Sequence, residues 1–168
     1  MANLPRVALI LTGGTIDSVG KDRLDLAWYI EAGKRLNDGE LLQQLPELKE
    51  IAQVEELPFR RLPSHALIDK DWLDLVRTIH KIFDEDKADG IVITHGTNTI
   101  EETAYFLNLT LKTDKPVVVV GSSTGTVLSG TCSQSVRSAG VVTVVDPHRS
   151  SNPSTLLPSS SVIHQVAV

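Results

Sequence analysis

A buried strand that runs directly into a glycine–threonine turn occurs twice in this chain, and no other feature constrains the fold as much. The first copy is residues 7–11 followed by Thr12-Gly13-Gly14-Thr15, and the second is residues 89–94 followed by His95-Gly96-Thr97. Continuous apolar runs rich in β-branched residues are typical of strands covered on both faces. Open α/β sheets bind ligands at the carboxyl ends of such strands. If the two strands are parallel neighbours, the hydroxyls of Thr15 and Thr97 emerge at one sheet edge.

Each turn also has local features that suit a bound ligand. Gly13 and Gly14 let a ligand approach the backbone closely because they carry no side chain. The second turn precedes a helix whose apolar residues recur on one face, at Ile100, Ala104, Leu107 and Leu111. Thr99 and Glu102 have the spacing of a capping box, and so do Asn98 and Glu101. The free N–H groups at this helix start favour an anion beside Thr97.

The other patterns alternate strands with helices. We predict a short helix over 40–45 capped by Asn37 or Asp38, a strand over 51–60, a helix capped by Asp69 and ending near residue 84, and strands over 116–121 and 141–145. The predicted apolar face of the long helix is formed by Trp72, Val76, Ile79 and Phe83, with Leu75 and Ile82 beside them. This alternation indicates βαβ units, and therefore an α/β fold with a mostly parallel sheet and right-handed crossovers.

Composition limits the classes of protein to which the chain can belong. Its 168 residues suffice for one domain with a real core. A net charge of −5 without a basic cluster argues against a nucleic-acid partner. No apolar run approaches the length of a membrane span, and the single Cys132 excludes an internal disulfide and a cysteine-based metal site. We therefore predict a cytoplasmic protein with neither a nucleic-acid nor a membrane partner.

A long polar stretch follows the first turn. Residues 18–37 have neither a helical nor a strand period, and they contain Trp28 and Tyr29. A loop of this length is usually functional or disordered. Its two aromatic residues and its place beside a Gly-Gly-Thr turn favour a lid over a site. The alternative is a surface loop whose two aromatic side chains pack on the sheet.

Three segments carry a resemblance to a known family. Thr12-Gly13-Gly14-Thr15-Ile16, residues 94–107 and residues 112–121 resemble bacterial-type L-asparaginases (the asparaginase/glutaminase family), and the likeness covers about residues 5–121. The resemblance implies a doubly wound domain, which we expect to span residues 1–146. It also implies hydrolysis of the side-chain amide of L-asparagine to L-aspartate and ammonia, with no metal or organic cofactor. We expect the chain to lack the family's C-terminal domain, and residues 147–168 are predicted to be an irregular Ser/Pro-rich tail.

The resemblance assigns catalytic roles to three residues. Thr15 resembles the nucleophile, Tyr29 resembles its partner on the lid, and Thr97 resembles the second catalytic threonine. A threonine hydroxyl attacks an amide only if another group takes its proton, and the candidates are Tyr29, Thr97 through a water, or a lysine. An acyl-enzyme intermediate also needs hydrogen-bond donors for its oxyanion. The backbone N–H groups of the two turns, around Gly14 and Gly96, are candidates for that role.

The resemblance also assigns contacts to the substrate. Ser64 matches a position that binds the substrate's α-carboxylate, and His65 stands where many members have glutamine. Asn98 replaces an aspartate that commonly holds the α-amino group. An asparagine accepts a hydrogen bond but supplies no negative charge, so we expect a weaker grip on an α-ammonium. His95 is a possible general base, although its position before a glycine turn favours hydrogen bonds within the sheet edge.

The resemblance weakens after Gly121. Residues 122–139 lack the family's Arg-Pro turn and Ser-Ala-Asp-Gly segment, and the chain ends before the catalytic lysine that pairs with the second threonine. Lys112 and Lys115 lie at the far end of the predicted helix from Thr97. A change of reading frame or a truncation would explain the divergence. The alternative is a short-chain asparaginase that builds its site from subunits of this size.

Two classes of function follow from the sequence. The first is an L-asparagine amidohydrolase for which glutamine is a poorer substrate. The second is a catalytically weak amino-acid-binding module that keeps the pocket but lacks a complete proton relay. A third possibility, an amidotransferase subunit that acts on a tRNA-linked substrate, is disfavoured by the acidic charge. We also predict a homo-oligomer, because a sheet without its C-terminal partner domain would expose apolar surface.

Overall fold

Parallel strands form the centre of the fold. The structure is a computed structural model that describes residues 4–20, 25, 28, 34–122, 140–145 and 163–164, the last two ranges as backbone. The strands are β1 (Arg6–Leu11), β2 (Gln53–Pro58), β3 (Gly90–Thr94), β4 (Val117–Ser122), β5 (Gly140–Val145) and β6 (Ile163–His164). They lie in one sheet in the order β2-β1-β3-β4-β5-β6.

Short connections and two longer helices join these strands. The described helices are α1 (Glu40–Gln43), α2 (Leu48–Ile51), α3 (Asp69–Asp84) and α4 (Ile100–Thr110), and single 3-10 turns cover Thr15–Asp17 and Ser64–Ala66. The predicted strand over 51–60 is too long, because Ile51 ends α2 and the backbone of Arg60 turns to a φ of 55°. The two longer helices and the strands β4 and β5 confirm their predictions to within two residues.

The strand pairing confirms the predicted α/β class. β1 pairs in parallel with β2 and β3, and β3 pairs in parallel with β4, whereas β5 and β6 join in antiparallel register. The chain leaves β1 toward β2 and then crosses back to β3 and β4. Right-handed crossovers therefore put α3 and α4 on one face of the sheet and the connection from β1 to β2 on the other. The mostly parallel sheet is doubly wound, as the resemblance implied.

The core lies between the sheet and the helices α3 and α4. It contains Ala8, Ile10, Leu75, Ile79, Ile82, Ala88, Ile91, Ile93, Ile100, Ala104, Leu107, Leu111, Val117 and Val119. The predicted apolar stripe of α4 is confirmed. The predicted apolar face of α3 is confirmed, because Leu75, Ile79 and Ile82 are buried in the core and Val76 and Phe83 pack against it. Trp72 is partly buried and stacks on Phe106 of α4, with 5.4 Å between ring centroids. Burying one aliphatic side chain of this core stabilises the fold by about 1.5–3 kcal/mol.

The helix caps differ from the predicted ones. Thr99 precedes α4, but its buried hydroxyl makes no hydrogen bond within the described residues, so neither predicted capping box forms. Helix α3 is capped one residue before Asp69, since the Ile68 N–H donates to Asp71 Oδ2 (3.2 Å).

Helix α1 has a cap that comes from another strand. The predicted caps, Asn37 and Asp38, are wrong, because the residue before α1 is Gly39 with a φ of 82°. Glu56 of β2 accepts hydrogen bonds from the backbone N–H groups of Gly39 and Leu42. Two N–H groups of this helix start are therefore satisfied from a neighbouring element.

The predicted lid, residues 18–37, and the predicted tail, residues 147–168, each contain residues that pair as β-structure. Ser18 forms an antiparallel bridge with Arg35, so the ends of the predicted lid are joined. The side chain of Trp28 is 64% exposed, and the alternative in which it packs on the sheet is therefore wrong. Ile163–His164 pairs with β5, so the prediction of an irregular tail fails at these two residues. The rest of 147–168 lies outside the described residues.

Candidate functional site

The two glycine–threonine turns meet at the carboxyl edge of the sheet. β1 lies between β2 and β3, and the register places Leu11 beside Thr94 where both strands end. The Thr12 N–H and hydroxyl both donate to the Thr94 carbonyl, at 3.3 and 2.6 Å, and join the two strand ends. The connections from β1 and β3 leave in opposite directions, and open α/β sheets bind ligands in the crevice that forms at such a point.

Three backbone segments are stacked at this point with no space for a further carbon atom. A Cβ added to Gly14 would lie 2.5 Å from both the Cα and the N of Gly96. A Cβ added to Gly96 would lie 2.7 Å from the Oγ of Ser64. The backbone of the first turn therefore contacts that of the second, and Ser64 contacts the second turn from the side of β2. The sequence-predicted residues Gly14, Gly96 and Ser64 are brought together, and all three are buried.

Thr15 and Thr97 lie on the two turns and are both partly exposed. Thr15 is the first residue of a 3-10 turn, and its carbonyl accepts a hydrogen bond from Ser18 N–H (3.0 Å). Thr97 lies near the end of β4, because a Cβ added to Gly121 would be 3.1 Å from Thr97 Cγ2. Both threonine residues therefore combine a position at the carboxyl edge with access to solvent.

The remaining sequence-predicted residues are less enclosed. Asn98 is exposed and precedes α4, and His65 is exposed on the 3-10 turn that begins at Ser64. Tyr29 lies outside the described residues. Its predicted role remains a prediction from the resemblance.

His95 is part of a continuous series of hydrogen bonds that runs from Trp72 through Thr103 to the Gly96 carbonyl. It is fully buried, its Nδ1 lies 2.8 Å from the Gly96 carbonyl, and its Nε2 lies 2.9 Å from Thr103 Oγ1. A carbonyl only accepts, so Nδ1 carries the proton and Nε2 accepts from the Thr103 hydroxyl. That hydroxyl oxygen in turn accepts from Trp72 Nε1 (3.1 Å). Burial lowers the pKa of His95, and the neutral ring has both nitrogens engaged.

The prediction that His95 forms hydrogen bonds within the sheet edge is confirmed. The ring has no free nitrogen with which to take a proton from a substrate or a nucleophile. Its contact with the Gly96 carbonyl instead fixes the turn that precedes Thr97.

Sequence reasoning missed a buried ion pair beside the first turn. The Oδ1 atom of Asp17 lies 2.7 Å from Nη1 of Arg35, and the carboxylate is almost fully buried. Burial raises the pKa of Asp17. The charges of Arg35 and of Arg61, which follows β2, act in the opposite direction but more weakly. The only local signal was the position of Asp17 two residues after Thr15, since its partners lie on a distant part of the chain.

Among the described residues, no group of three or more histidine, cysteine, aspartate or glutamate side chains is placed to hold a metal ion. Within the same part of the chain, no helix is both long and apolar enough to cross a membrane.

A match to a known protein family identifies the family of this chain. The family model for the N-terminal part of asparaginases matches residues 6–131, which contain both turns. The chain belongs to the asparaginase family. The match covers all of the predicted region of resemblance, residues 5–121, except its first residue, and it continues past Gly121 to residue 131.

Several relatives share this part of the asparaginase chain. A glutaminase-asparaginase of Pseudomonas aeruginosa is 44% identical over 119 residues, which cover 71% of this chain and 32% of the relative. L-asparaginase 2 of Escherichia coli is also 44% identical, over 71% of this chain and 33% of its own. An L-asparaginase of Bacillus licheniformis is 39% identical over 152 residues, which are 83% of this chain and 45% of the relative.

A solved structure shows the same kinship. The crystal structure of a probable cytoplasmic L-asparaginase from Campylobacter jejuni superposes with a TM-score of 0.67 and 36% sequence identity, over 80% of this chain and 38% of the other. A similar protein of Haemophilus influenzae is named a probable periplasmic L-asparaginase. The relatives thus differ in compartment, and the predicted cytoplasmic location stays a prediction.

Asparaginase relatives are much longer than this chain, which spans about a third of the first two of them. The lysines considered from the sequence lie at the opposite edge of the sheet from Thr97. Lys115 Nζ donates to Asp86 Oδ1 (3.1 Å) and to the Ala88 carbonyl (2.9 Å), both in the segment that leads into β3. Lys112 lies between the end of α4 and the start of β4.

Proposed function

We propose that this chain is an amidohydrolase that hydrolyses the side-chain amide of L-asparagine to L-aspartate and ammonia, with Thr15 as its nucleophile. One observation carries the proposal: the backbone of Gly14 contacts that of Gly96 at the sheet's carboxyl edge, in a chain of the asparaginase family. This contact supports a common crevice for the hydroxyls of Thr15 and Thr97. L-asparagine is proposed as the preferred substrate and L-glutamine as a poorer one.

The proposed reaction proceeds through an ester. Thr15 Oγ1 forms a bond to the amide carbon and gives its proton to an acceptor. The C–N bond then breaks, and the nitrogen takes up a proton and leaves as ammonia. Water hydrolyses the ester, which releases aspartate and restores the hydroxyl. Thr97 and Tyr29 are the groups proposed to carry these protons, because the neutral ring of His95 is engaged on both nitrogens.

The surrounding residues suit the other parts of the substrate. The developing oxyanion is proposed to accept hydrogen bonds from the backbone N–H groups beside Gly14 and Gly96. Ser64, buried against Gly96, and the neighbouring His65 are proposed to bind the α-carboxylate. Asn98 is proposed to accept a hydrogen bond from the α-ammonium, without the charge that an aspartate would add. No cofactor takes part in this scheme.

A specific observation favours a second candidate, an amino-acid-binding module with a weak or incomplete proton relay. The chain spans about a third of the first relatives, and Lys115 is engaged at the amino edge of the sheet. Neither Lys112 nor Lys115 lies at the edge that carries Thr97, where the resemblance places a lysine beside the second threonine. If the relay is incomplete, the pocket would bind asparagine without turnover.

Ammonia release from L-asparagine by the purified chain tests the two candidates. We expect Thr15→Ala to lower the rate by at least ~10³-fold, because the nucleophile is lost. Thr110→Ala is the matched control, since that hydroxyl only donates to the Phe106 carbonyl on α4 (2.8 Å), and we expect an unchanged rate. Asparagine binding by calorimetry without ammonia release would favour the module. Ammonia release that survives Thr15→Ala would contradict the assigned nucleophile.

We also propose that the chain forms a homo-oligomer. Tyr105 and Leu109, four residues apart on α4, are 63% and 58% exposed, and they are the kind of surface that a second subunit would cover. Sedimentation velocity of the wild-type chain at several concentrations measures this directly, and a single species at the monomer mass of 18.3 kDa would contradict it.

A further inference from the structure

The turn that carries Thr15 has little rigidity of its own. It consists of three residues in 3-10 geometry, and its internal bonds run from the Ser18 N–H to the Thr15 carbonyl (3.0 Å) and from the Ser18 hydroxyl to the Gly14 carbonyl (3.1 Å). Gly13 and Gly14 precede it, with φ values of 103° and 101°. A single 3-10 turn after two glycines has few internal bonds to define its position. Contacts with other segments must therefore hold it.

Asp17, the last residue of this turn, makes those contacts. Its carboxylate pairs with Arg35, and its backbone carbonyl accepts a hydrogen bond from Leu36 N–H (2.8 Å). The Val19 N–H donates to the Lys34 carbonyl (2.9 Å). Residues 17–19 and 34–36 therefore pair as two antiparallel backbone segments on either side of the ion pair. The end of the Thr15 turn is thereby joined to residues 34–36 through main chain and side chain together.

Stability alone does not account for a carboxylate at this position. The side chain of Asp17 is 4% exposed, and its Oδ2 atom has no hydrogen-bond partner within the described residues. Burial raises the pKa of Asp17 even though Arg35 and Arg61 act in the opposite direction. Burying a charge costs free energy that its ion pair returns only in part. What the charge does provide is a directional bond to Arg35.

Arg61, in the segment that follows β2, supports the same arrangement. Its guanidinium donates to the Leu36 carbonyl (2.9 Å) and pairs with Asp38 (2.7 Å). Its backbone has a φ of 49°, an unfavourable conformation for a residue with a side chain. The same backbone lies against the first turn, because a Cβ added to Gly13 would be 2.9 Å from the carbonyl carbon of Arg61. Such strain persists only where surrounding contacts hold it, and it clusters at functional sites.

We propose that Asp17 is a positioning residue: through its bond to Arg35, backed by Arg61, it holds the Thr15 turn against Gly96. The link from this geometry to catalysis rests on the proposed function. The link from Asp17 to the position of the turn does not, and it is tested separately.

The test compares Asp17→Asn with the wild-type chain in two measurements. The first is hydrogen exchange of the Val19 and Leu36 amides, which we expect to accelerate by at least ~10-fold, because local opening is no longer opposed by the ion pair. The second is the kinetics of ammonia release. We expect kcat to fall by ~10–100-fold with little change in KM, since a displaced nucleophile affects the chemical step. Urea titrations should show Asp17→Asn still fully folded under the assay conditions, so that the loss of kcat is not a loss of folded protein.

Arg60 provides the matched control. It is the preceding arginine, it also has a positive φ of 55°, and its guanidinium pairs with Asp71 and Asp74 of α3 at 2.8 and 2.7 Å. Arg60→Gln should leave the exchange of Val19 and Leu36 and the value of kcat unchanged.

Each outcome decides the proposal. Faster exchange with a lower kcat in Asp17→Asn, both absent from Arg60→Gln, would support it. Unchanged exchange would overturn it, and so would faster exchange with an unchanged kcat in an active wild type. If the wild type releases no ammonia, faster exchange would still support the positioning of the turn, while the proposed function itself would fail.

Discussion

The two edges of the sheet are built in opposite ways. At the carboxyl edge, backbone contacts backbone, as between Gly14 and Gly96, and the bonded groups are buried, both the neutral ring of His95 and the carboxylate that Asp17 pairs with Arg35. At the amino edge, exposed charged side chains bridge the elements, and Arg6 pairs with both Asp86 and Asp89 at 3.2 and 2.8 Å. One edge is defined by atoms that have no room to move. The other is defined by side chains that water can replace.

This difference should appear in the tolerance of each edge to substitution. Close-packed backbone cannot relax around an added atom without shifting a strand end. Exposed ion pairs are screened by solvent and contribute little individually. The carboxyl edge is therefore suited to hold a reactive geometry, and the amino edge to join elements with tolerance for change.

The largest expected effect is that of Gly14→Ala. The new Cβ would lie 2.5 Å from Gly96, and the backbone φ of 101° is unfavourable for alanine. We expect the free energy of unfolding to fall by at least ~3 kcal/mol in urea titrations, and the proposed hydrolysis of asparagine to be lost with it. Gly90→Ala is the control at the amino edge. There the Cβ would meet only Pro116, with Cγ at 3.2 Å, and a change within ~1 kcal/mol is expected. Equal effects at both edges would remove the contrast.

An intermediate effect is expected from His95→Gln. The substitution breaks the bonds to Gly96 and Thr103 inside the protein, and we expect a loss of about 2 kcal/mol or more in unfolding free energy. His80→Gln is the matched control, because that ring, on α3, only accepts a hydrogen bond from the Lys112 N–H (3.2 Å). A loss for His95→Gln no larger than that of the control would contradict the role of the buried chain of bonds.

His95 should also give the wild type a pH dependence of stability. Burial lowers its pKa in the folded chain, so its contribution is complete above about pH 6.5, the ordinary value in an unfolded chain. The contribution is lost as the pH falls toward the lower folded value. His95→Gln should abolish this component of a urea titration series between neutral and mildly acidic pH.

The smallest expected effect is that of Asp89→Asn at the amino edge. Hydrogen bonds from Arg6 lower the pKa of Asp89 to about 2, so its stabilising contribution is complete above the ordinary value and lost as the pH falls through about 2. The difference in unfolding free energy from the wild type should be small at neutral pH, shrink with added salt and disappear in strong acid. A large and salt-independent loss would mean that the amino edge is as rigid as the carboxyl edge.

The local patterns predicted much of this architecture. The apolar runs before the two turns and the stripe of α4 depend on near neighbours, and the structure confirms them. The caps were harder to predict, because Glu56 reaches α1 from a separate strand and Thr99 turns its hydroxyl into the protein. The ion pair of Asp17 and Arg35 was missed for the same reason, since 18 positions separate the partners.

The sequence by itself determined that two strands end in glycine–threonine turns, because strand propensity and the absence of a side chain are properties of the residues and their neighbours. Only the tertiary structure decided that β1 and β3 are adjacent and that Gly14 contacts Gly96. It also decided which of two consecutive arginines supports the first turn, since Arg60 points to α3 and Arg61 to residues 36–38. Pairing order and side-chain direction depend on how distant segments pack, which no local pattern records.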